Sequence, residues 1–227
     1  MRARPISARS SAAALTPMPE AGADPALVAA WLAARSICRG LPAPVHDHGG
    51  LRVDTGLPTE SRRYVFARPG AGLTELGRTV TDHLTVLKLC ASPDVMRRWL
   101  PPRWSLDGSA ALMTCEATIP ARPLPADYSV ELGRDGAALS LRVLAADGSL
   151  AASGHAAEHD GVFAFDRIVT EPPHRRRGLG AAVMASLGHA RADPASRFVL
   201  VATPDGRALY QSLGWRVEAP YTTARLA

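Results

Sequence analysis

Lysine is all but absent from the chain: Lys88 stands alone among 26 basic residues, and the rest are arginine. A preference for Arg and Ala along the whole sequence reads first as genome composition. The net charge of +5 therefore does not by itself call for an anionic partner. Cysteine is scarce as well. Cys38, Cys90 and Cys115 are an odd number without close spacing, which argues against a disulfide framework and for a reducing, cytoplasmic setting. No stretch approaches the ~18 uncharged apolar residues of a membrane helix. Arg2, Arg4 and Arg9 precede no continuous apolar run, so no secretory leader is expected. Aromatic residues make up 5% of the chain, with no basic helix or stacking ladder among them, which disfavours nucleic acid as a partner.

What remains is a globular composition, 47% hydrophobic and 21% charged over 227 residues, enough for one large core or two small ones. Residues 1–22 lack periodicity and read as a flexible tail. Asp24-Pro25 is an N-cap followed by proline at the first helical position, and Leu27, Val28, Trp31 and Leu32 give that helix an apolar face. Short strands are expected at Leu51–Asp54 and Arg62–Ala67, a helix around Leu73 and Leu76, and a strand at Leu84–Cys90. A helix from Ser92 to Leu100 and a strand at Ala110–Ile119 follow. Pro120, Pro123 and Pro125 mark the best boundary, dividing an N-terminal α/β domain (23–120) from a C-terminal domain (121–227).

Beyond the prolines the pattern sharpens. Strands at Tyr128–Leu132, Leu139–Ala145, Leu150–Ala157 and Val162–Thr170 are punctuated by Asp147-Gly148 and Asp160-Gly161, both good hairpin turns. A helix over 178–190, a strand at Phe198–Ala202, a helix at Asp205–Leu213 and a last strand at Trp215–Glu218 complete an α+β sheet flanked by helices. No short repeat stands out.

One segment carries chemistry. From Phe165 to Ala181 the sequence reads strand, proline turn, then a basic glycine loop, Arg175-Arg176-Arg177-Gly178-Leu179-Gly180, opening into a helix. Glycines let a ligand approach the backbone, the first helical turn offers free N–H groups, and the dipole and arginines favour negative charge. Several consecutive amides suit a pyrophosphate. The loop lacks the third glycine of a dinucleotide fingerprint and the lysine of a P-loop. The pattern left is R-x-x-G-x-G.

That pattern resembles the acetyl-CoA-binding motif of the GCN5-related N-acetyltransferases. Ala208-Leu209-Tyr210-Gln211-Ser212-Leu213-Gly214-Trp215 resembles the family's second signature, and the two blocks stand in the family's order. The likeness covers roughly residues 128–227. It implies a GNAT-like, mainly antiparallel mixed sheet flanked by helices, acetyl-CoA as co-substrate without a metal, and direct attack of an amine on the thioester. By the same resemblance the amides around Arg175, Arg176, Arg177, Gly178, Leu179, Gly180 and Ala181 would hold the pyrophosphate. Ile168, Val169 and Thr170 would pair with the pantetheine, and Tyr210 would protonate the departing thiolate. Two departures stand out. The two helices that normally wall the acceptor pocket have no room after Tyr128–Leu132, so residues 24–119 would supply that wall, as a degenerate half of the same fold. Thr203 replaces an asparagine common in the family.

Other residues admit two readings. Tyr210 is catalytic acid or core. Asp166 relays a proton or binds the incoming ammonium, or else makes a strand-end salt bridge with Arg167 or another arginine. Glu158, His159, Asp160 and His155 are substrate contacts or solvated turn residues. His46, Asp47 and His48 lack further ligands at metal spacing and read as loop. Trp99, Trp104 and Tyr128 line the acceptor pocket or the core, and Cys115 reads as buried packing. The expectation is a cytoplasmic N-acetyltransferase acting on a small-molecule or peptide amine, with no membrane or nucleic-acid partner and a homodimer left open. The alternative is a non-catalytic acyl-CoA-binding or sensor protein.

Overall fold

The computed structural model describes residues 22–117, 119–120 and 123–227. The expected tail thus lies, Gly22 apart, outside the described residues.

Helix α1 (Pro25–Cys38) starts where Asp24 accepts a hydrogen bond from the Ala26 amide at 3.1 Å, and it buries Leu27, Val28, Trp31 and Leu32. A hairpin of β1 (Val45–Asp47) and β2 (Gly50–Leu57) leads to β3 (Glu60–Phe66), α2 (Ala71–Thr79), β4 (Thr85–Leu89), α3 (Pro93–Arg97) and β5 (Trp104–Cys115). After the proline segment come β6 (Tyr128–Asp135), β7 (Ala138–Ala145), β8 (Leu150–His159) and β9 (Val162–Thr170). Then follow α4 (Leu179–His189), β10 (Arg197–Ala202), α5 (Pro204–Ser212) and β11 (Arg216–Leu226).

All eleven strands described join one sheet, in the order β1-β2-β3-β4-β11-β5-β10-β9-β8-β7-β6. Every pairing is antiparallel except β3 with β4 and β9 with β10. Alternation along the strands sorts the core. Val65, Cys90, Leu112, Ala164 and Tyr221 meet α1 on one face. On the other face Phe66 and Leu89 pack under α2 and against Met96 of α3, while Phe163, Phe198 and Trp215 pack under α4 and α5.

The topology contains a repeat that no residue pattern announced. The run β1-β2-β3-α2-β4-α3-β5 recurs as β7-β8-β9-α4-β10-α5-β11, and the sheet order from β1 to β7 maps onto its own reverse under that exchange. The two-fold lies between β11 and β5. Each half lends the other a strand: β11 lies between β4 and β5, and β5 between β11 and β10.

The two parallel pairs differ, and the difference makes the site. In the N-terminal half β3 and β4 pair from Arg62↔Thr85 to Phe66↔Leu89, and the Cys90 amide continues the ladder to the Phe66 carbonyl at 2.9 Å. In the C-terminal half β9 and β10 pair only from Val162↔Arg197 to Ala164↔Val199, then part. A bulge starts the divergence. The register of β8 against β9 slips between Ser153 and His155, and Arg167 sits there with φ +53°. Gly154 stands opposite, where a Cβ would lie 2.6 Å from Ile168 Cδ1 and 2.7 Å from Val183 Cγ1 and would displace those side chains.

Several elements depart from sequence expectation: β2 runs on to Leu57, β6 runs on to Asp135, and β5 ends at Cys115 short of Ile119. β1 is an added strand, and α3 stops at Arg97 because Arg98–Leu100 form a turn. β5 begins at Trp104, and β11 runs on to Leu226 rather than ending at Glu218. Among the described residues no helix is long and apolar enough to cross a membrane.

Candidate active site

The glycine loop forms as its residues dictate. Pro172–His174 make a single 3-10 turn, and Arg176 (φ +64°) and Gly178 (φ +79°) take left-handed conformations that swing the chain into α4. Gly178 caps that helix without a side chain. Among the described residues, the backbone amides from Arg176 to Ala181 have no acceptor within the protein, and the first helical bond is Ala182 N to Gly178 O at 3.1 Å. Six consecutive free donors at a helix N-terminus form an anion cradle. Leu179 and Ala181 are buried, so their amides are what they can offer.

Two of the arginines are tied back. Arg175 Nε donates to the Thr170 carbonyl at 3.2 Å. Arg177 donates to the Tyr128 hydroxyl at 2.9 Å, which is also 3.1 Å from His174 Nδ1. Tyr128 therefore braces this loop and does not line an acceptor pocket. Gly180 faces a gap between β9 and α5, since a Cβ there would meet Thr170 Oγ1 at 3.5 Å and Leu209 Cδ2 at 3.6 Å.

Where β9 and β10 part, a cavity of about 240 Å3 opens. Asp166, Arg167 and Ile168 line it from β9, and Leu200 and Val201 from β10. Thr203 and Tyr210 close one side, and Trp31 and Arg35 of α1 with Arg39 at its C-cap close another. Beyond Ala164 the β9 edge is not paired to β10, so Ile168, Val169 and Thr170 border an open groove. Ile168 reaches the cavity, and the Val169 side chain is exposed.

Tyr210 is buried against Trp215, ring centroids 5.9 Å apart, and burial pushes its phenol up to about 12. It is a protonated donor throughout the neutral range. Thr203 Oγ1 accepts from the Gly206 amide at 3.3 Å, so this side chain caps α5 where the family often has asparagine.

Asp166 lies among arginines. It accepts from Arg39 Nε at 2.6 Å, Arg39 Nη2 at 2.9 Å and Arg35 Nε at 3.3 Å, while Arg167 Nε stands 3.6 Å away. Burial opposes its ionisation, but the Arg39 hydrogen bonds and the charges of Arg35, Arg39 and Arg167 outweigh it and hold the carboxyl below its usual range. A carboxylate so engaged is a poor general base. Of the two readings of Asp166, the geometry favours the salt bridge, made with Arg39 and Arg35.

The remaining candidates scatter. Glu158 accepts from the amides of Ala192 and Asp193 and from the Ser196 hydroxyl, so it staples a loop. His155 is the cross-strand neighbour of Asp166, half-buried, its pKa lowered by burial and then by Arg167. Asp47 accepts from Arg52 and Tyr64 beside His48, and no metal-binding group of three or more His, Cys, Asp or Glu occurs among the described residues. Trp104 is fully buried with its Nε1 donating to Gly77 O at 2.9 Å, and Trp99 packs on the same cluster. Alongside Phe165 and Tyr210, the cavity is lined by three residues unforeseen as site residues, Trp31, Arg35 and Arg39. Their i, i+4, i+8 spacing was a usable signal.

No protein-family model and no curated protein matches the chain in sequence. Solved structures do match. A GCN5-related N-acetyltransferase from Kribbella flavida aligns with TM-score 0.64 at 17% identity, over 87% of this chain and 95% of that one. The fold is that of the GCN5-related N-acetyltransferases. A putative acetyltransferase of the GNAT family from Novosphingobium aromaticivorans aligns at 0.56 and 17% identity, over 86% and 95% of the two chains. A tandem GNAT protein from the clavulanic acid biosynthesis pathway aligns at 0.55 and 13%, over 78% and 79%. This GNAT fold bears its open strand pair, amide cradle and cavity in the C-terminal half, while the corresponding β3–β4 pair of the N-terminal half is zipped shut.

Proposed function

We propose that the protein is an N-acetyltransferase that moves the acetyl group of acetyl-CoA onto an amine. One observation carries this reading: the parting of β9 and β10 opens a cavity that holds a protonated tyrosine, and β9 runs on from that cavity into a six-amide anion cradle. The amides of Arg176–Ala181 bind the pyrophosphate, and the open β9 edge at Ile168–Thr170 takes the pantetheine. The thioester then lies in the cavity. A neutral amine attacks its carbonyl carbon, the carbon–sulfur bond breaks, and the Tyr210 phenol gives its proton to the departing thiolate. The amine's surplus proton leaves to solvent. Three free, buried cysteines accord with a reducing compartment, here the cytoplasm.

The sensor alternative needs the N-terminal half to fill the acceptor site. Its α1 walls the site yet leaves the cavity open, which favours catalysis.

Thermal unfolding with saturating acetyl-CoA tests the reading. At ~100-fold over Kd one site adds about 2.7 kcal/mol, or roughly 5–11 °C for a chain of this size. Gly180→Leu keeps the fold, since its Cβ makes only ordinary contacts, but fills the gap between Thr170 and Leu209 and abolishes the shift. No shift in the wild type, or transfer to no amine, refutes the proposal.

A further inference from the structure

The α1 side of the cavity carries more positive charge than it neutralises. Arg35, Arg39 and Arg167 face one carboxylate, Asp166, and no other acidic side chain lines the cavity among the described residues. Arg39 spends two nitrogens on Asp166, but Arg35 spends only Nε, and Arg167 stands too far for a hydrogen bond. The terminal nitrogens of Arg35 and Arg167 thus have no acceptor among the described residues. Trp31 adds an independent sign. Its side chain is 1% exposed and lines the same cavity, yet its buried Nε1–H has no acceptor either. Unspent donors around a net positive hollow call for an anionic group on the ligand. The arginines of the glycine loop do not line this cavity, so the demand is separate from that of the pyrophosphate.

We propose that the acceptor amine also carries a carboxylate, as a free amino acid does, and that Arg35 and Arg167 bind that carboxylate. The inference rests on the acetyltransferase reading and names its substrate class. A guanidinium presents paired N–H groups that match a carboxylate's two oxygens. The cavity, about 240 Å3, falls below the roughly 300–1,000 Å3 of pockets for drug-sized ligands, so the acceptor is small. The surplus positive charge also disfavours the ammonium form, keeping the amine neutral for attack. A polyamine, which brings cations and no carboxylate, meets repulsion instead.

The test compares kcat/KM for acetylation of free amino acids with that of their carboxamides and of polyamines, following thiol release from acetyl-CoA. Acids are expected to exceed their amides roughly 10- to 100-fold, the scale of a hydrogen-bonded charge, with the difference in KM. Arg35→Gln erases that preference while acetyl-CoA still raises the unfolding temperature, which shows the variant folded. Arg167→Gln, at a half-exposed position, provides the second variant and reduces the preference in the same sense. Amides accepted as well as acids, a polyamine preferred, or a phosphate-bearing amine favoured over its carboxylate analogue would overturn the assignment. Acetyl-CoA binding with no acid acetylated does so too, while acetyl-CoA neither bound nor consumed removes the parent reading and this inference with it.

Discussion

Arg39 grips Asp166 through two parallel hydrogen bonds, Nε at 2.6 Å and Nη2 at 2.9 Å, and so fastens the end of α1 to the bulged end of β9. The pair joins residues 127 positions apart at the rim of the cavity.

Asp166→Asn leaves Arg35, Arg39 and Arg167 without a counter-charge. The expected loss is about 3 kcal/mol at neutral pH, the low end for a buried pair deprived of one partner, because Arg35 and Arg39 keep 17% and 18% exposure. The sign with pH is fixed. The carboxyl is held below its unfolded value, so its contribution is complete above about pH 4 and disappears as pH falls through the folded pKa. Urea titrations across pH should show wild type and variant converging only on the acid side; a gap that stays constant to pH 2 contradicts the ion-pair account.

Tyr210→Phe removes the proton donor and leaves the amide cradle untouched. Turnover should fall by roughly 10²-fold or more with acetyl-CoA affinity retained. Because burial lifts the phenol to about 12, the wild-type rate should show no alkaline limb from this group below about pH 10. An unchanged kcat in the variant excludes Tyr210 from the mechanism.

Glu158→Gln should weaken the fold by about 1–2 kcal/mol, since a charged acceptor shared by two amides and a hydroxyl becomes neutral. KM for the amine should not move. A KM effect without a stability effect would return Glu158 to the substrate site.

Burial raises the thiols of Cys38 and Cys90 to about 12 and raises that of Cys115 as well. An aromatic disulfide reagent should therefore titrate none of them rapidly until the protein is unfolded, and Cys115→Ser should retain full turnover. Fast reaction of one thiol in the native protein is the contrary result.

The shape of the glycine loop was legible because it is set locally. A strand, a turn, two glycines and a helix start lie within Phe165–Ala181, and backbone conformation there follows from the residues themselves. The α1 wall of the cavity was not. Trp31 and Arg35 share one stripe of α1 that Arg39 continues at its C-cap, but arginines so spaced read as a solvated face until the strand that carries Asp166 is laid beneath them.

Strand ends failed for a related reason. Asp107-Gly108-Ser109 has turn chemistry, yet Gly108 lies within β5, where any Cβ would come within 2.0 Å of Pro93 Cγ. Pro220 looks like a terminator but is accommodated in β11 between two register shifts against β5. In both cases a neighbour distant in sequence reverses the local preference.

The exchange of β5 and β11 between the halves has a cost in time. By the time β5 leaves the ribosome, neither strand that will flank it has been made, since β10 and β11 occupy residues 197–226. The nascent N-terminal half must therefore wait with two open edges, exposed to mispairing, until β10 and β11 emerge. A sheet closed by such non-local pairing folds slowly, and the centre that joins the halves is the last part to become native.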